Sequence, residues 1–165
     1  MQSRLAAAGV DVAHEIGINR LVLTSGQDHL VDGRHFDVDR MISSLEEALD
    51  QAVQDGHEGL WATGDMYWEL GPENDFSKLL EYEWRLEQLL SSRPQIGGIC
   101  QYHANTLPRA VLREGLLTHR GIFLNETLTQ INPHYLPPES FTPLAFQSAE
   151  IENALDVLCS SGFAN

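Results

Sequence analysis

The sequence predicts an α/β fold, in which a mostly parallel sheet of about four strands has helices on both faces. Short apolar runs alternate with longer segments of helical periodicity along the 165 residues. The short runs are apolar on both faces, as expected of parallel strands that helices cover. Apolar residues make up 42% of the chain, which is enough for a hydrophobic core without disulfides or metals as staples.

The predicted elements follow one another as strand, then helix. The first strand covers 21–24, and the next helix covers 37–55, where apolar side chains recur at the spacing of one helical face. We expect Asp37 to cap this helix and Gly56 to end it. Further strands are predicted over 59–63, 96–102 and 121–125, and further helices over 76–90 (opened by Asn74 or Asp75), 107–119 (capped by Thr106) and 149–159.

The charge balance excludes several classes of function. Asp and Glu number 24 against 10 Lys and Arg, a formal net charge of −14. A general nucleic-acid binder or a protein of anionic membranes needs a basic face, so neither is expected. Lys78 is the single lysine, and no Gly-Lys-Ser/Thr phosphate loop is present. With two cysteines and no recognisable signal peptide, the expected location is the cytoplasm.

Polar residues follow the predicted strands at their carboxyl ends, where open parallel sheets bind ligands. Thr63, Asp65, Gln101 and Tyr102 are predicted to line one crevice there. The alternative is that such residues simply end strands and cap the next helix. Aromatic residues near the same strands could wall an apolar ligand pocket or belong to the core: Trp61, Tyr67, Trp68, Tyr82, Trp84 and Tyr102.

Glu83 is the least expected residue of the predicted helix at 76–90. On a helical wheel it lies in the middle of the apolar face, with Glu87 one turn later and Glu81 on the opposite side. A buried carboxylate is costly unless it is paired or hydrogen-bonded. The Glu83 carboxyl group, with a raised pKa, could bind a ligand or a metal or could transfer a proton. The alternative is a structural ion pair with Arg109, Arg113 or Arg120.

No catalytic or metal-binding motif is recognised. The seven histidines lack ligand spacing such as His-x-x-x-His, so neither a metal nor a cofactor is expected. Ser25 lacks the Gly-x-Ser-x-Gly context of a nucleophile elbow. Cys100 lies inside an apolar strand and is expected to be an inert buried thiol. The chain is therefore not expected to be an enzyme.

Several segments resemble the MEDS domain, the proposed sensory domain of methanogen and methylotroph regulators. The resemblance covers about residues 3–138 and depends on Gly59–Leu70 (Gly-Leu-Trp-Ala-Thr-Gly-Asp-Met-Tyr-Trp-Glu-Leu), Leu80–Leu86, Ile99–Tyr102, Thr118-His119 and Asn132–Tyr135, with 5–11 and 33–41 upstream. It implies a RecA-like core related to the circadian-clock ATPases, with 63–66 at the strand end that helps hold magnesium in active relatives. It also implies a sensor of small organic molecules, usually fused to a kinase or DNA-binding output.

The resemblance also shows departures from the family pattern. Family members more often carry Glu at the position of Asp65 and Asp at the position of His103. A full family domain begins with a strand, a helix and another strand before the helix that ends near Gly9. On that comparison the chain starts inside this helix, so the resemblance implies truncation at the N-terminus.

These observations predict a sensory α/β domain over 1–138 and a C-terminal linker and helix over 139–165. The predicted function is a non-enzymatic cytoplasmic sensory module that binds a small organic, hydrocarbon-derivative-like ligand. Alternatives are a degenerate P-loop-type nucleotide-binding domain without hydrolysis and a structural self-association domain. Expected partners are the ligand, a second copy in a homodimer, and a histidine kinase or transcription regulator. The predicted ligand-binding residues are Thr63, Asp65, Trp68, Glu83, Gln101 and Tyr102.

Overall fold

A computed structural model describes residues 2–25, 29–67, 76–124, 127–129, 131–141 and 148–161. Its helices are α1 (Gln2–Ala7), α2 (Val12–Gly17), α3 (Val38–Gln54), α4 (Leu79–Ser92), α5 (Arg109–Thr118) and α6 (Ala149–Ser161). Its strands are β1 (Leu30–Val31), β2 (His35–Phe36), β3 (Leu60–Asp65), β4 (Ile96–Gln101), β5 (Ile122–Leu124) and β6 (Thr127–Thr129). The mixed α/β class that the sequence predicts is therefore confirmed.

The β3 and β4 strands form the predicted parallel pair. Their register runs from Leu60 opposite Ile96 to Asp65 opposite Gln101. The α4 helix connects them, which makes a strand–helix–strand unit, since parallel neighbours need a crossover. Side chains alternate between the two faces of this pair. We call the face that carries Thr63, Asp65 and Gln101 the outer face, and the opposite one the inner face.

The described residues differ from the predicted four-stranded sheet. They form three two-stranded sheets, of which only β3–β4 is parallel. The 21–24 strand was a wrong prediction, because no described strand pairs with that segment, and a β-branched run alone supplies no partner. The run at 121–125 contributes β5, which pairs antiparallel with β6. Two residues separate them in sequence, the length of a hairpin connection.

The helix predictions are confirmed within a few residues. Asp37 caps α3, since its carboxylate accepts a hydrogen bond from the Arg40 amide at 2.9 Å, and Gly56 follows the helix with φ of 89°. The α4 helix begins at Leu79, three residues later than predicted, and the predicted caps Asn74 and Asp75 lie outside the described residues. The Thr106 cap was wrong, because its hydroxyl lies 3.4 Å from the His103 carbonyl, to which it donates.

Two groups of buried apolar side chains hold the layers together. The larger one joins α3 and α4 to β4 and the start of α5, with Leu49, Leu79 and Val111 almost inaccessible. The second joins α5 to α6 through Leu117 and Leu155, each 1% exposed. The predicted boundary between 138 and 139 stays a prediction. None of the described helices has the length and apolar character that crossing a membrane requires.

Candidate functional site

Glu83 occupies the centre of the candidate site. It lies on α4 and is 2% exposed, which confirms its predicted position on the buried helix face. The Tyr102 hydroxyl donates a hydrogen bond to Glu83 Oε1, and His119 Nε2 lies 3.4 Å from Glu83 Oε2. The Cys100 sulfur lies within 4.8 Å of a Glu83 carboxylate oxygen and of a His119 ring nitrogen. We call Glu83, Cys100, Tyr102 and His119 the inner cluster.

The predicted arginine partners of Glu83 bind other acids. Arg109 and Arg113 both reach from α5 to Glu152 on α6, and Arg120 pairs with Glu87. The structural ion pair with an arginine was therefore a wrong prediction for Glu83. These arginines pair with Glu152 and Glu87, and the side chains of His119 and Tyr102 contact the buried carboxyl group of Glu83 instead.

His119 has a fixed orientation just after the end of α5. Its Nδ1 lies 2.8 Å from the carbonyl oxygen of Gly115, which can only accept, so Nδ1 carries a proton and donates it. The Tyr102 ring packs edge-to-face on the imidazole at 5.8 Å between centroids. Gly115 makes room for that ring, because a Cβ at this position would lie 2.7 Å from it. Nε2 is thereby held toward Glu83.

The electrostatics of the inner cluster favour a neutral Glu83. Burial raises the pKa of its carboxyl group above the ordinary 4.5, and the neighbouring charge of Glu87 adds to this. The charge of His119 and the Tyr102 hydrogen bond act in the opposite direction. Since desolvation is the largest cause, Glu83 holds its proton more tightly than an exposed glutamate does.

The other strand-end residues form a separate group on the outer face. The Gln101 amide donates to the Thr63 hydroxyl at 2.8 Å, and His103 Nε2 lies 3.5 Å from an Asp65 carboxylate oxygen. Asp65 also accepts a hydrogen bond from the Tyr67 amide at 3.0 Å. The single predicted crevice is thus divided between two faces of the sheet, since Gln101 and Tyr102 are neighbours in sequence and point to opposite sides.

A cleft of about 1690 Å³ extends along the sheet. Its lining includes the inner cluster, with Thr63 and Asp65 from the outer face. Aliphatic side chains line other parts of it, among them Leu21, Leu86, Leu112 and Leu155. Four of the six predicted ligand-binding residues line this cleft, which borders both faces of the strand pair: Thr63, Asp65, Glu83 and Tyr102. Gln101 does not line it, but donates a hydrogen bond to Thr63, which does. Trp68 lies outside the described residues.

Three residues of this region carry no local signal of a site in the sequence. His119 lies in the Thr118-His119 segment of the family resemblance, and Cys100 lies inside an apolar strand. Asn132 is 4% exposed and donates to the carbonyl oxygens of Leu116 and His119. No local spacing in the sequence connects these positions with Glu83. The available signal was that all three lie in segments that resemble the MEDS family.

Glu114 is a second acid with an unusual environment. Partial burial raises its pKa from 4.5 to about 7, the charge of Arg113 lowers it, and the charge of Glu83 raises it. Its Oε2 atom is buried without a hydrogen-bond partner among the described residues. Glu114 therefore keeps its proton in the folded chain at pH values between 4.5 and about 7, where it has lost it in the unfolded chain.

This shift predicts that stability falls as pH rises. The pKa of Glu114 is higher in the folded chain than in the unfolded chain, so its protonated form stabilises the fold at low pH. This contribution is lost between pH 4.5 and about 7 as the group ionises. Gln cannot ionise, so we expect Glu114→Gln to have a higher melting temperature than the wild type above pH 7 and a shallower decline with pH. Thermal unfolding followed by circular dichroism across this range measures both, with the exposed Glu47→Gln as control. Parallel declines in the wild type and Glu114→Gln would contradict the assignment.

The fold, the inner cluster and the outer-face residues together define a mixed α/β domain with a cleft beside the buried carboxyl group of Glu83. A family model described as "MEthanogen/methylotroph, DcmR Sensory domain", abbreviated MEDS, matches residues 1–120. The chain belongs to the MEDS family of sensory domains. The match includes the inner cluster and the outer-face residues. No match was found among curated proteins or among solved structures.

Proposed function

We propose that this chain is a non-enzymatic cytoplasmic sensory module that binds a small organic molecule of low polarity in the cleft. The observation that carries the proposal is Glu83, a carboxyl group 2% exposed that faces a cleft of about 1690 Å³. Membership of a sensory family supports the sensory role. The aliphatic lining suits an apolar body, and the few polar groups suit a single polar atom on the ligand.

The proposed roles follow from the contacts. The Tyr102 hydroxyl donates a hydrogen bond to the Glu83 carboxyl group. Either group can instead form a hydrogen bond with a donor or an acceptor of the ligand. Thr63 and Asp65 offer polar atoms at the end of β3, with Gln101 orienting Thr63. Trp68, Gln101 and the other predicted residues remain part of this proposal.

The same geometry suggests how binding reaches the rest of the chain. His119 follows α5, and α5 is joined to α6 by Arg109 and Arg113 through Glu152. A ligand that displaces the Glu83–His119 contact would therefore act on the helix pair α5–α6. We propose that a histidine kinase or transcription regulator reads this change, in the chain itself or in a homodimer.

A thermal-shift screen of small organic compounds tests the pocket. We expect at least one apolar compound to raise the melting temperature of the wild type, because ligands that bind only the folded chain stabilise it. Glu83→Gln and Tyr102→Phe keep the shape of their side chains, and we expect each to reduce that rise. Glu47→Gln on the exposed side of α3 and Tyr135→Phe outside the cleft are matched controls, expected to respond like the wild type.

Two outcomes would reject this proposal. If no compound shifts the wild type, or if Glu83→Gln and Tyr102→Phe respond as the wild type does, the pocket assignment fails. Tight binding of Mg-ATP in isothermal titration would instead favour the nucleotide-binding alternative.

A further inference from the structure

The inner cluster brings together three side chains with different metal-binding chemistry. The carboxylate of Glu83, the thiol of Cys100 and the imidazole of His119 offer atoms that all lie within 4.8 Å of one another. They come from three places in the fold, namely α4, β4 and the residue after α5. Glu83 is buried, and the other two are half-buried at the cleft.

Two contacts orient the donor atoms of Glu83 and His119. His119 Nδ1 donates to the Gly115 carbonyl oxygen at 2.8 Å, so Nε2 presents its lone pair toward Glu83. Metal-bound histidines commonly use their second nitrogen in this way. Tyr102 donates to the other oxygen of Glu83 and leaves Oε2 facing the imidazole.

The contact between Glu83 and His119 is one that a cation stabilises. With its proton on Nδ1, a neutral His119 turns an acceptor toward Glu83 Oε2 at 3.4 Å, so an ionised Glu83 and this nitrogen need a proton or a metal ion between them. A proton satisfies this pair alone, whereas a divalent metal also binds the Cys100 sulfur. The combination of thiolate, imidazole and carboxylate is the donor set of zinc.

We propose that Glu83, Cys100 and His119 bind a divalent transition metal of the zinc class. Three protein ligands leave the fourth tetrahedral position to the cleft, as in zinc sites that bind exogenous ligands. Zinc ligands lie about 2.0–2.3 Å from the ion, so the three atoms, which lie within 4.8 Å of one another, move closer together when the ion binds. The proposal does not depend on the identity of an organic ligand.

Titration of the full chain with Co(II) tests the site directly. A cobalt ion bound by a cysteine thiolate shows a sulfur-to-metal charge-transfer band in the near ultraviolet. We expect this band to saturate at one equivalent, with a higher melting temperature in Zn(II). We expect Cys100→Ser to lose the band and His119→Gln to weaken binding strongly. Tyr102→Phe is expected to weaken it by roughly 10- to 100-fold, the effect of residues that orient ligands.

Matched variants separate this site from adventitious binding. Cys159→Ser removes the other cysteine, which also lines the cleft, and His14→Gln removes an exposed histidine. Both are expected to bind Co(II) like the wild type, with circular dichroism verifying the fold of every variant. Absence of a band and of a Zn(II) shift in the wild type would overturn the site. A band that survives Cys100→Ser but disappears in Cys159→Ser would do so too.

Discussion

Asn132→Ala is expected to lower the free energy of unfolding by about 2–4 kcal/mol, because buried groups that lose a partner cost 1–3 kcal/mol each. The Asn132 amide donates to the carbonyl oxygens of Leu116 at 2.5 Å and of His119 at 2.7 Å. Its own oxygen accepts from the His134 amide at 3.0 Å. Since Asn132 is only 4% exposed, water cannot readily replace these bonds. Urea unfolding followed by circular dichroism measures the loss.

The Asn132 prediction has an internal control and a clear contrary result. Asn105→Ala removes the same side chain at an exposed position, so its cost should be within about 0.5 kcal/mol. A similarly small loss for Asn132→Ala would show that the two carbonyl groups find other partners. Because one of these carbonyls belongs to His119, we also expect Asn132→Ala to weaken Co(II) binding.

Gly115→Ala is expected to destabilise the chain by about 1–3 kcal/mol, the usual cost of forcing extra volume into a packed site. Helix propensity alone predicts the opposite, a gain of about 1 kcal/mol for Ala over Gly within a helix. The added Cβ would lie 2.7 Å from the Tyr102 ring, and this contact reverses the sign. Urea unfolding of the two chains measures the difference.

A double-mutant cycle assigns the Gly115 penalty to the Tyr102 ring. In a Tyr102→Ala background the added methyl group meets no ring, so the penalty of Gly115→Ala should vanish. Gly17→Ala is the control, because no atom lies within 4 Å of the Cβ that it adds at the end of α2. An equal penalty with and without the Tyr102 ring would contradict this explanation.

Local patterns predicted the elements well and their assembly poorly. The α3 helix follows from apolar spacing within one segment, with the Asp37 cap and Gly56 both near in sequence. Strand pairing is different, because the residues of one strand do not specify which other strand pairs with it. The 21–24 run has strand composition without a described partner, and β5 pairs with the β6 strand that follows it.

The candidate site shows the same division between local and distant information. Helical periodicity correctly placed Glu83 on the buried face of α4, since all the information lies within one helix. It could not choose between an arginine and His119 as the partner, because Glu152 on a distant helix takes Arg109 and Arg113. Alternation along β4 could have separated Gln101 from Tyr102, which was a signal present in the sequence.

Pairing of opposite charges within the chain controls how other molecules can approach it. Within the part of the chain that the structure describes, seven of the ten basic side chains contact acids: Arg20, Lys78, Arg85, Arg93, Arg109, Arg113 and Arg120. Because the formal net charge is −14, an arriving macromolecule meets a predominantly negative field. Association with a basic surface is fast at low ionic strength and slows as salt screens the attraction. Two copies of this chain repel each other, so they approach faster as salt is added.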